Sequence, residues 1–181
     1  MELADQMIDK TLEVNTVALL STVREFLPSM IANKRGHIVT IASMAGLTGV
    51  PGLADYCASK SGAVAIDECL RMELQGKGLN KFIKTTCICP YLINTGMFDG
   101  AQTAFPFTML DPPEVVDRII AAIQQEEAFV VIPWRGNVLF LAKLLPTSLN
   151  DQLTKALGTQ KTMSEFKGKG AMDKRIPGYK N

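Results

Sequence analysis

Three polar side chains stand at spacings that suit proton transfer: Ser43, Tyr56 and Lys60. Tyr56 and Lys60 are separated by one helical turn, so on a helix they share one face. A phenol is a poor acid or base at neutral pH because its ordinary pKa is about 10, but a nearby ammonium favours the phenolate. A serine hydroxyl beside it can hydrogen-bond a substrate oxygen. The pattern predicts a proton-transfer site for an alcohol or a carbonyl.

A short strand and a helix must position these side chains. Residues 37–41 have the β-branched pattern of a buried strand, with glycine before them and a Ser-Met-Ala-Gly turn signal after them. Ser43 therefore lies at the carboxyl end of this strand. Glycines and a proline between residues 46 and 52 predict a loop, and the apolar spacing over 53–74 predicts a helix that carries both Tyr56 and Lys60.

The interval between the serine and the Tyr-x-x-x-Lys pattern resembles the short-chain dehydrogenase/reductase family. The family motif places its catalytic serine thirteen positions before the tyrosine, as Ser43 and Tyr56 stand here. A lone Tyr-x-x-x-Lys is most often a surface helix pair, whereas the strand-terminal serine and the flanking Ala-Ser of CASK make the combination specific. The resemblance implies that Tyr56 exchanges the proton, that Lys60 lowers the pKa of Tyr56 and holds the nicotinamide ribose, and that Ser43 orients the substrate oxygen.

The same resemblance assigns three further residues. Asn15, on a long helical pattern over 3–32, corresponds to the asparagine of the family's catalytic tetrad, which helps to hold a water that links the lysine to solvent. Without the resemblance it is an ordinary polar helix position. Pro90 and Thr95, in PYLINTGM, correspond to the loop that contacts the nicotinamide carboxamide. Tyr91 stands where the family more commonly has glycine.

An apolar stretch without helical or strand periodicity, residues 98–110, is predicted to cover the substrate. Flexible apolar side chains suit a lipophilic substrate, although capping of the core explains them equally well. The candidate lining residues are Met97, Phe98, Phe105, Phe107 and Met109, in addition to Ser43.

The resemblance implies an α/β fold with a doubly wound parallel Rossmann sheet, of which this chain shows only the C-terminal half. The first βαβαβ half has no counterpart, because neither GxGxxG nor GxxxGxG occurs in the sequence. We expect a partial Rossmann-type domain over 1–149 and a basic, flexible tail over 150–181. The predicted strands are 37–41, 83–89 and 129–132, and the predicted helices are 3–32 with a bend near Pro28, 53–74, one starting at Asp111, and 138–149.

Composition and charge exclude several classes of function. The chain has 181 residues, 47% hydrophobic residues and a mean hydropathy of +0.13, which suits one core. The net charge is +1, but the part from Lys155 onward carries +5. This basic end lacks interleaved aromatics, so nucleic acid is not an expected partner. A single histidine, His37, argues against Ser-His-Asp chemistry, and four cysteines without ligand spacing argue against a metal site.

The segments GLADYCASK and IKTTCICPYLINTGMF resemble one branch of the family, the 16C group of retinol and 17β-hydroxysteroid dehydrogenases. This implies an oxidoreductase that interconverts a lipid alcohol and its carbonyl with NAD or NADP, on the endoplasmic reticulum or on lipid droplets. The chain shows no anchor of the kind that group uses, so a cytoplasmic location stays open. The choice between NAD and NADP also stays open, because the discriminating residue belongs to the half without a counterpart.

A second interpretation comes from another class of protein, a non-catalytic fragment that associates with full-length subunits. In the family, the helices that correspond to 3–32 and 53–74 pair across a homodimer. Without a phosphate-binding turn, the isolated chain is expected to be inactive. The apolar helix predicted over 138–149 is too short to span a bilayer. It makes a peripheral membrane contact, flanks the substrate entrance or packs on the body, which is the commonest arrangement of such a helix.

Overall fold

A three-stranded parallel sheet forms the centre of the protein in a computed structural model, which describes residues 4–98, 100–104, 106–164 and 166. The strands β1 (Gly36–Ile41), β2 (Ile83–Pro90) and β3 (Phe129–Ile132) stand in the order β1-β2-β3. Each strand is joined to the next by a helical crossover, which parallel pairing requires. All three predicted strands and the α/β class are confirmed.

The register of the sheet brings the ends of β1 and β2 together. Ile41 pairs with Ile88, and Pro90 pairs with Ile132 at the end of β3. Because the carboxyl ends of parallel strands meet at one edge of a sheet, the residues that follow β1 and β2 share that edge. Ligands of open α/β sheets bind outside this edge.

Two helices, α2 (Ala18–Ala32) and α3 (Ala54–Gly76), cover one face of the sheet, and α1 (Asp5–Leu12) packs on α3. The π-helical segment Glu13–Val17 joins α1 to α2. The α-helix α2 continues through Pro28, where the sequence predicted a bend, and a departure from α geometry lies in the π-helical segment. The bend itself stays a prediction. Single π turns inside α-helices occur frequently at functional sites, and this one contains Asn15.

Apolar clusters pack on both faces of the sheet. The helix α4 (Pro112–Gln124) begins after Asp111, as predicted, and covers the face opposite α3. On the α3 face, the buried residues are Ala42, Met44, Leu47, Ala63, Cys87, Cys89 and Val131, with Leu70, Leu74 and Ile83 in a second cluster. On the α4 face, they are Ile88, Val115, Ala122, Val130 and Ile132.

The C-terminal part forms two helices where the sequence predicted one over 138–149. The observed helices are α5 (Val138–Ala142) and α6 (Thr147–Ala156). Pro146 precedes α6 and has no N–H to donate, so the chain breaks before it and a new helix begins after it. None of the helices within the described ranges is long and apolar enough to cross a bilayer.

The helix α6 extends the ordered chain beyond residue 149, where the sequence analysis placed the start of a flexible tail. Thr162 is buried, and Gln102 donates its backbone N–H to Thr162 O at 2.8 Å. This part of the predicted tail therefore contacts the rest of the chain, and its flexibility stays a prediction. The tail's last part, 167–181, lies outside the described residues, and the division into a domain and a tail stays a prediction.

Candidate active site

The four residues predicted to act in catalysis line one cavity of about 590 Å³. Ser43 follows β1, Tyr56 and Lys60 lie in the first two turns of α3, and Asn15 comes from the π-helical segment. The cavity thus lies at the carboxyl edge of the sheet, where the register places the ends of β1 and β2. The structure brings together side chains that are up to 45 positions apart in the sequence.

Two backbone contacts hold the Ser43 hydroxyl. Ser43 caps the short 3-10 turn Met44–Gly46, and its Oγ accepts a hydrogen bond from Ala45 N at 3.1 Å. The same hydroxyl donates to Pro90 O at 3.4 Å, across the gap between the ends of β1 and β2. The hydroxyl is therefore fixed at the sheet edge, on the same cavity that Tyr56 lines.

The Lys60 ammonium lies between the end of β1 and the Tyr56 ring. Its Nζ donates to Ile41 O at 3.0 Å and lies 5.8 Å from the centroid of the Tyr56 ring. Burial lowers the pKa of Lys60 from its ordinary value. Gly46 makes this packing possible, since a Cβ there would come within 2.6 Å of Lys60 O.

The pKa of Tyr56 moves in the direction opposite to the sequence-based expectation. Burial of the phenol raises its pKa, and the hydrogen bond from Ser43 only partly opposes this effect. The Lys60 ammonium is not among the causes of this shift, so the expected lowering by Lys60 is not seen in this chain by itself. Tyr56 therefore holds its proton at neutral pH.

Asn15 contacts the Tyr56 helix through Ser59. Asn15 Nδ2 donates to Ser59 Oγ at 3.2 Å, and Ser59 Oγ donates to Tyr56 O at 2.8 Å. Thr16 Oγ1 donates to Ser59 O at 2.9 Å. At Gly62, a Cβ would lie 2.8 Å from Thr16 Cγ2, so the two helices approach closely at this level. The π-helical segment and α3 are joined directly behind the site.

Sequence reasoning quoted Ser59 within CASK but gave it no role. The available signal was its position three residues after Tyr56, which places a small polar side chain one turn along the same helix. A fully buried hydroxyl needs partners, and Ser59 finds them in Asn15 and the Tyr56 carbonyl.

The predicted cofactor and substrate contacts lie on the same cavity, with two exceptions. Pro90, Thr95, Met97, Phe98 and Phe107 all line it. The Phe98 ring meets the Tyr56 ring edge-on, with 6.2 Å between centroids. The exceptions are Phe105, which lies outside the described residues, and Met109, which is half-buried but does not line the cavity.

Tyr91, which departs from the family pattern, holds the segment that covers the cavity. Its hydroxyl accepts a hydrogen bond from Ala104 N at 2.9 Å, and its ring packs on Phe107 with 5.1 Å between centroids. Tyr91 therefore ties the end of β2 to residues 98–110. The sequence showed the substitution but not this contact.

The far wall of the cavity comes from the C-terminal helices, which the sequence analysis assigned only as candidates for a substrate or membrane contact. Nothing in their periodicity indicated which side chains face the cavity. The contributing residues, from these helices and the segment after them, are Val138, Ala142, Leu153, Thr154, Leu157, Thr159, Thr162 and Met163.

Curated relatives share this chain's sequence over most of its length. It is 41% identical over 165 residues to human epidermal retinol dehydrogenase 2, a match that covers 90% of this chain and 53% of that protein. It is 42% identical over 140 residues to human estradiol 17-beta-dehydrogenase 11, covering 77% of this chain and 45% of that protein. The chain thus spans about half the length of the curated relatives it matches.

The fold is also similar to the folds of solved structures. A short chain dehydrogenase from Burkholderia cenocepacia, solved in complex with NADP, superposes with a TM-score of 0.69 over 87% of this chain and 62% of that one, at 23% identity. At that identity the likeness shows a shared fold. The family described as short chain dehydrogenase matches residues 1–104, which include β1, α3 and all four predicted catalytic positions. The chain belongs to the short-chain dehydrogenase family.

Proposed function

We propose that the protein is an oxidoreductase, or part of one, that interconverts a lipophilic alcohol and its carbonyl with NAD or NADP. The observation that supports this most directly is the shared cavity. One of its walls carries Ser43, Tyr56 and Lys60, and the rest is largely apolar. That combination suits proton transfer to an oxygen whose attached chain is apolar.

Each polar residue has a role that follows from its contacts. The buried phenol of Tyr56 holds the proton that reduction of a carbonyl consumes and that oxidation of an alcohol releases. Ser43, fixed by two backbone contacts, orients the substrate oxygen toward that phenol. Lys60 stabilises the phenolate when the proton leaves, since its ammonium lies over the ring. Asn15 positions α3 through Ser59.

The donor set at the sheet end of the cavity fits the nicotinamide end of a dinucleotide. Lys60 and Tyr56 present hydroxyl and ammonium donors toward a ribose, and Pro90 and Thr95 line the adjoining space for the carboxamide. The dinucleotide supplies the hydride chemistry when it is bound, and its oxidised form adds positive charge near the phenol. The glycine-rich turn that would hold its phosphates does not occur in these 181 residues.

The substrate class follows from the apolar lining and from the names of the relatives. Met97, Phe98, Phe107, Leu153 and Met163 surround the polar wall with flexible or aromatic side chains. The relatives are named as retinol and estradiol dehydrogenases. We therefore propose a retinoid or hydroxysteroid alcohol as the substrate, and the endoplasmic reticulum or lipid droplets, where such lipids accumulate, as the location.

The test is Tyr56→Phe in the protein expressed from its complete coding region. This change removes one hydroxyl and keeps the ring that packs on Phe98. We expect turnover of retinol or of a 17β-hydroxysteroid to fall by about a thousandfold or more, because the proton donor is lost. Cofactor affinity, followed by quenching of protein fluorescence, should change by less than about threefold.

Two results would contradict the proposal. Turnover by the Phe variant close to that of the unsubstituted protein would remove Tyr56 from the chemistry. A complete protein that binds neither dinucleotide would remove the oxidoreductase assignment itself.

A second candidate function, association with another subunit, is supported by the outer surfaces of α1 to α3. The exposed apolar side chains there are Met7, Val14, Val17, Leu20, Phe26 and Met72. Apolar side chains this numerous on adjacent helices favour packing against other helices. We propose that the protein forms a homodimer through the segments 3–32 and 53–74. If the 181-residue chain binds no dinucleotide but co-purifies with a full-length subunit, the non-catalytic interpretation holds for this chain.

A further inference from the structure

The segment around α5 and α6 exposes large apolar side chains more completely than any other described part of the chain. Leu144 is 81% exposed, Trp134 75% and Leu141 66%. Leu145 and Leu149 are also exposed. We call these five residues the apolar C-terminal face. Large exposed apolar side chains gathered within sixteen residues of the chain favour an interaction site, because leaving them in water is unfavourable.

This face is continuous with the cavity. Val138 on α5 and Leu153 on α6 are both partly exposed to solvent and line the cavity. Ala142 and Leu157, on or directly after the same helices, line it too. The two helices therefore form a thin wall, with the cavity on one side and the exposed apolar face on the other.

Basic side chains border the face. Between residues 133 and 164 the sequence has four cations, Arg135, Lys143, Lys155 and Lys161, and one acid, Asp151. Within the described part of the chain, none of these four cations forms an ion pair. Arg135 and Lys143 stand next to Trp134 and Leu144 in the sequence, so apolar and cationic groups alternate at the surface. A surface with this composition is complementary to anionic lipid headgroups above an apolar layer.

We propose that the apolar C-terminal face docks on the surface of an anionic lipid bilayer, with α5 and α6 lying in the interface. Both helices are far shorter than a bilayer is thick, so they lie at the surface rather than cross it. Tryptophan prefers this interfacial depth, which suits Trp134. Docking places the thin wall of the cavity against the lipid. A lipophilic alcohol could then enter the cavity from the lipid through this wall. This entry route rests on the proposed function, but the docking itself does not.

The chain carries its own reporter, because Trp134 is its single tryptophan. The experiment adds vesicles of phosphatidylcholine with about one-third phosphatidylserine to the 181-residue chain and records tryptophan emission and co-sedimentation. We expect the emission to shift to shorter wavelength and the protein to sediment with the vesicles. Vesicles of phosphatidylcholine alone should bind it at least about tenfold less, since the basic residues then have no anionic surface to attract them, and high salt should weaken the binding to the anionic vesicles.

The matched variants change two exposed apolar residues each. Leu141→Ser with Leu144→Ser removes apolar side chains that do not line the cavity, and should lower the partition coefficient by about tenfold or more. Val116→Ser with Ile120→Ser removes exposed apolar side chains from α4 and should leave it unchanged. Equal losses in the two double variants would overturn the proposal, because the binding would then not depend on this face.

Two other results would also overturn the proposal. The first is an unshifted emission with no co-sedimentation. The second is an emission shift that depends on protein concentration in the absence of lipid, together with a dimer in sedimentation velocity that the Leu141 and Leu144 variant abolishes. In that case a second copy of the chain covers the face. Vesicle binding is measured without turnover, so Tyr56→Phe should bind vesicles as tightly as the unsubstituted chain does. The docking proposal therefore stands even if the dehydrogenase assignment fails.

Discussion

The two walls of the cavity are built in different ways. The wall formed by β1, α3 and the π-helical segment holds polar side chains by hydrogen bonds to backbone or side-chain atoms, as Ser43, Lys60 and Asn15 show. The wall formed by α5 and α6 lines the cavity mainly with apolar side chains, and two of these, Val138 and Leu153, are also exposed to solvent.

This difference separates two tasks that one site must perform. Proton transfer requires groups fixed in distance and direction, which the polar wall obtains from the rigid sheet edge. Acceptance of an apolar molecule requires surface of the right polarity but little directional bonding, which the helical wall offers. Substitutions in the polar wall should therefore change the rate of the chemical step, and those near the other wall should change substrate binding.

After Tyr56→Phe, the largest effect is expected from Lys60→Met. The change keeps the length of the side chain but removes the ammonium that lies over Tyr56 and donates to Ile41 O. We expect kcat/KM of the complete protein to fall by about 10²-fold to 10³-fold, and the pH profile of alcohol oxidation to move to higher pH, because the phenolate loses its neighbouring charge. Initial rates measured from pH 6 to pH 10 check both.

Lys77→Met is the matched control, since Lys77 follows the end of α3 and is exposed. It should leave kcat/KM within about twofold. An unshifted pH profile in Lys60→Met would show that the ammonium contributes to binding but does not stabilise the Tyr56 phenolate.

A smaller effect, on stability, is expected behind the polar wall at Asp67. This carboxyl on α3 is 2% exposed, and its Oδ1 has no hydrogen-bond partner among the described residues. Burial raises the pKa of Asp67 to about 6, although a hydrogen bond from Thr40 opposes the shift. Because the folded state holds this proton more tightly than the unfolded state, the carboxyl destabilises the fold as the pH rises from about 4 to about 6.

The variant Asp67→Asn lacks this titration. We expect the free energy of unfolding of the natural chain to lose about 2 kcal/mol more than that of Asp67→Asn between pH 4 and pH 7.5. Urea unfolding curves of both chains at the two pH values measure the difference, and other titrating groups cancel because both chains share them. Parallel pH dependence in the two chains would mean that Asp67 is solvated in the folded state.

The polar wall was largely predictable from the sequence, because its signals are local. The strand pattern over 37–41, the position of Ser43 after it and the one-turn spacing of Tyr56 and Lys60 each follow from periodicity. The direction of the Tyr56 pKa shift did not follow, since it depends on burial by Phe98 and other distant residues. The π-helical segment around Asn15 also left no periodicity signal.

The apolar wall was less predictable, because its contacts join residues that are far apart. The sequence showed apolar residues over 138–149 but not the break before Pro146, and it gave no indication that Met163 reaches the cavity. Apolar periodicity indicates that a helix has a buried side, but not what covers that side. The same ambiguity explains why the sequence could not distinguish core packing from a membrane contact for the apolar residues over 138–149.

The smallest effect is expected from Tyr91→Phe, at the contact between the end of β2 and the segment that covers the cavity. The change removes the hydroxyl that accepts a hydrogen bond from Ala104 N and keeps the ring on Phe107. Ala104 is buried, so its N–H loses a partner that water cannot easily replace, at a cost of about 1 kcal/mol. We expect amide exchange at Ala104 to accelerate about fivefold, as measured by NMR on the 181-residue chain. In the complete protein, KM for the lipophilic alcohol should rise by a similar factor while kcat stays unchanged.

Phe107→Leu provides the comparison for this last change. It removes the ring contact with Tyr91 but leaves the Tyr91 hydroxyl able to accept from Ala104 N. Exchange at Ala104 should therefore stay slow in Phe107→Leu and become fast in Tyr91→Phe. If both variants behave alike, ring packing and not the hydrogen bond holds the covering segment. A fall in kcat instead of a rise in KM would show that Tyr91 supports the polar wall, and that the two tasks are not separated at this point of the cavity.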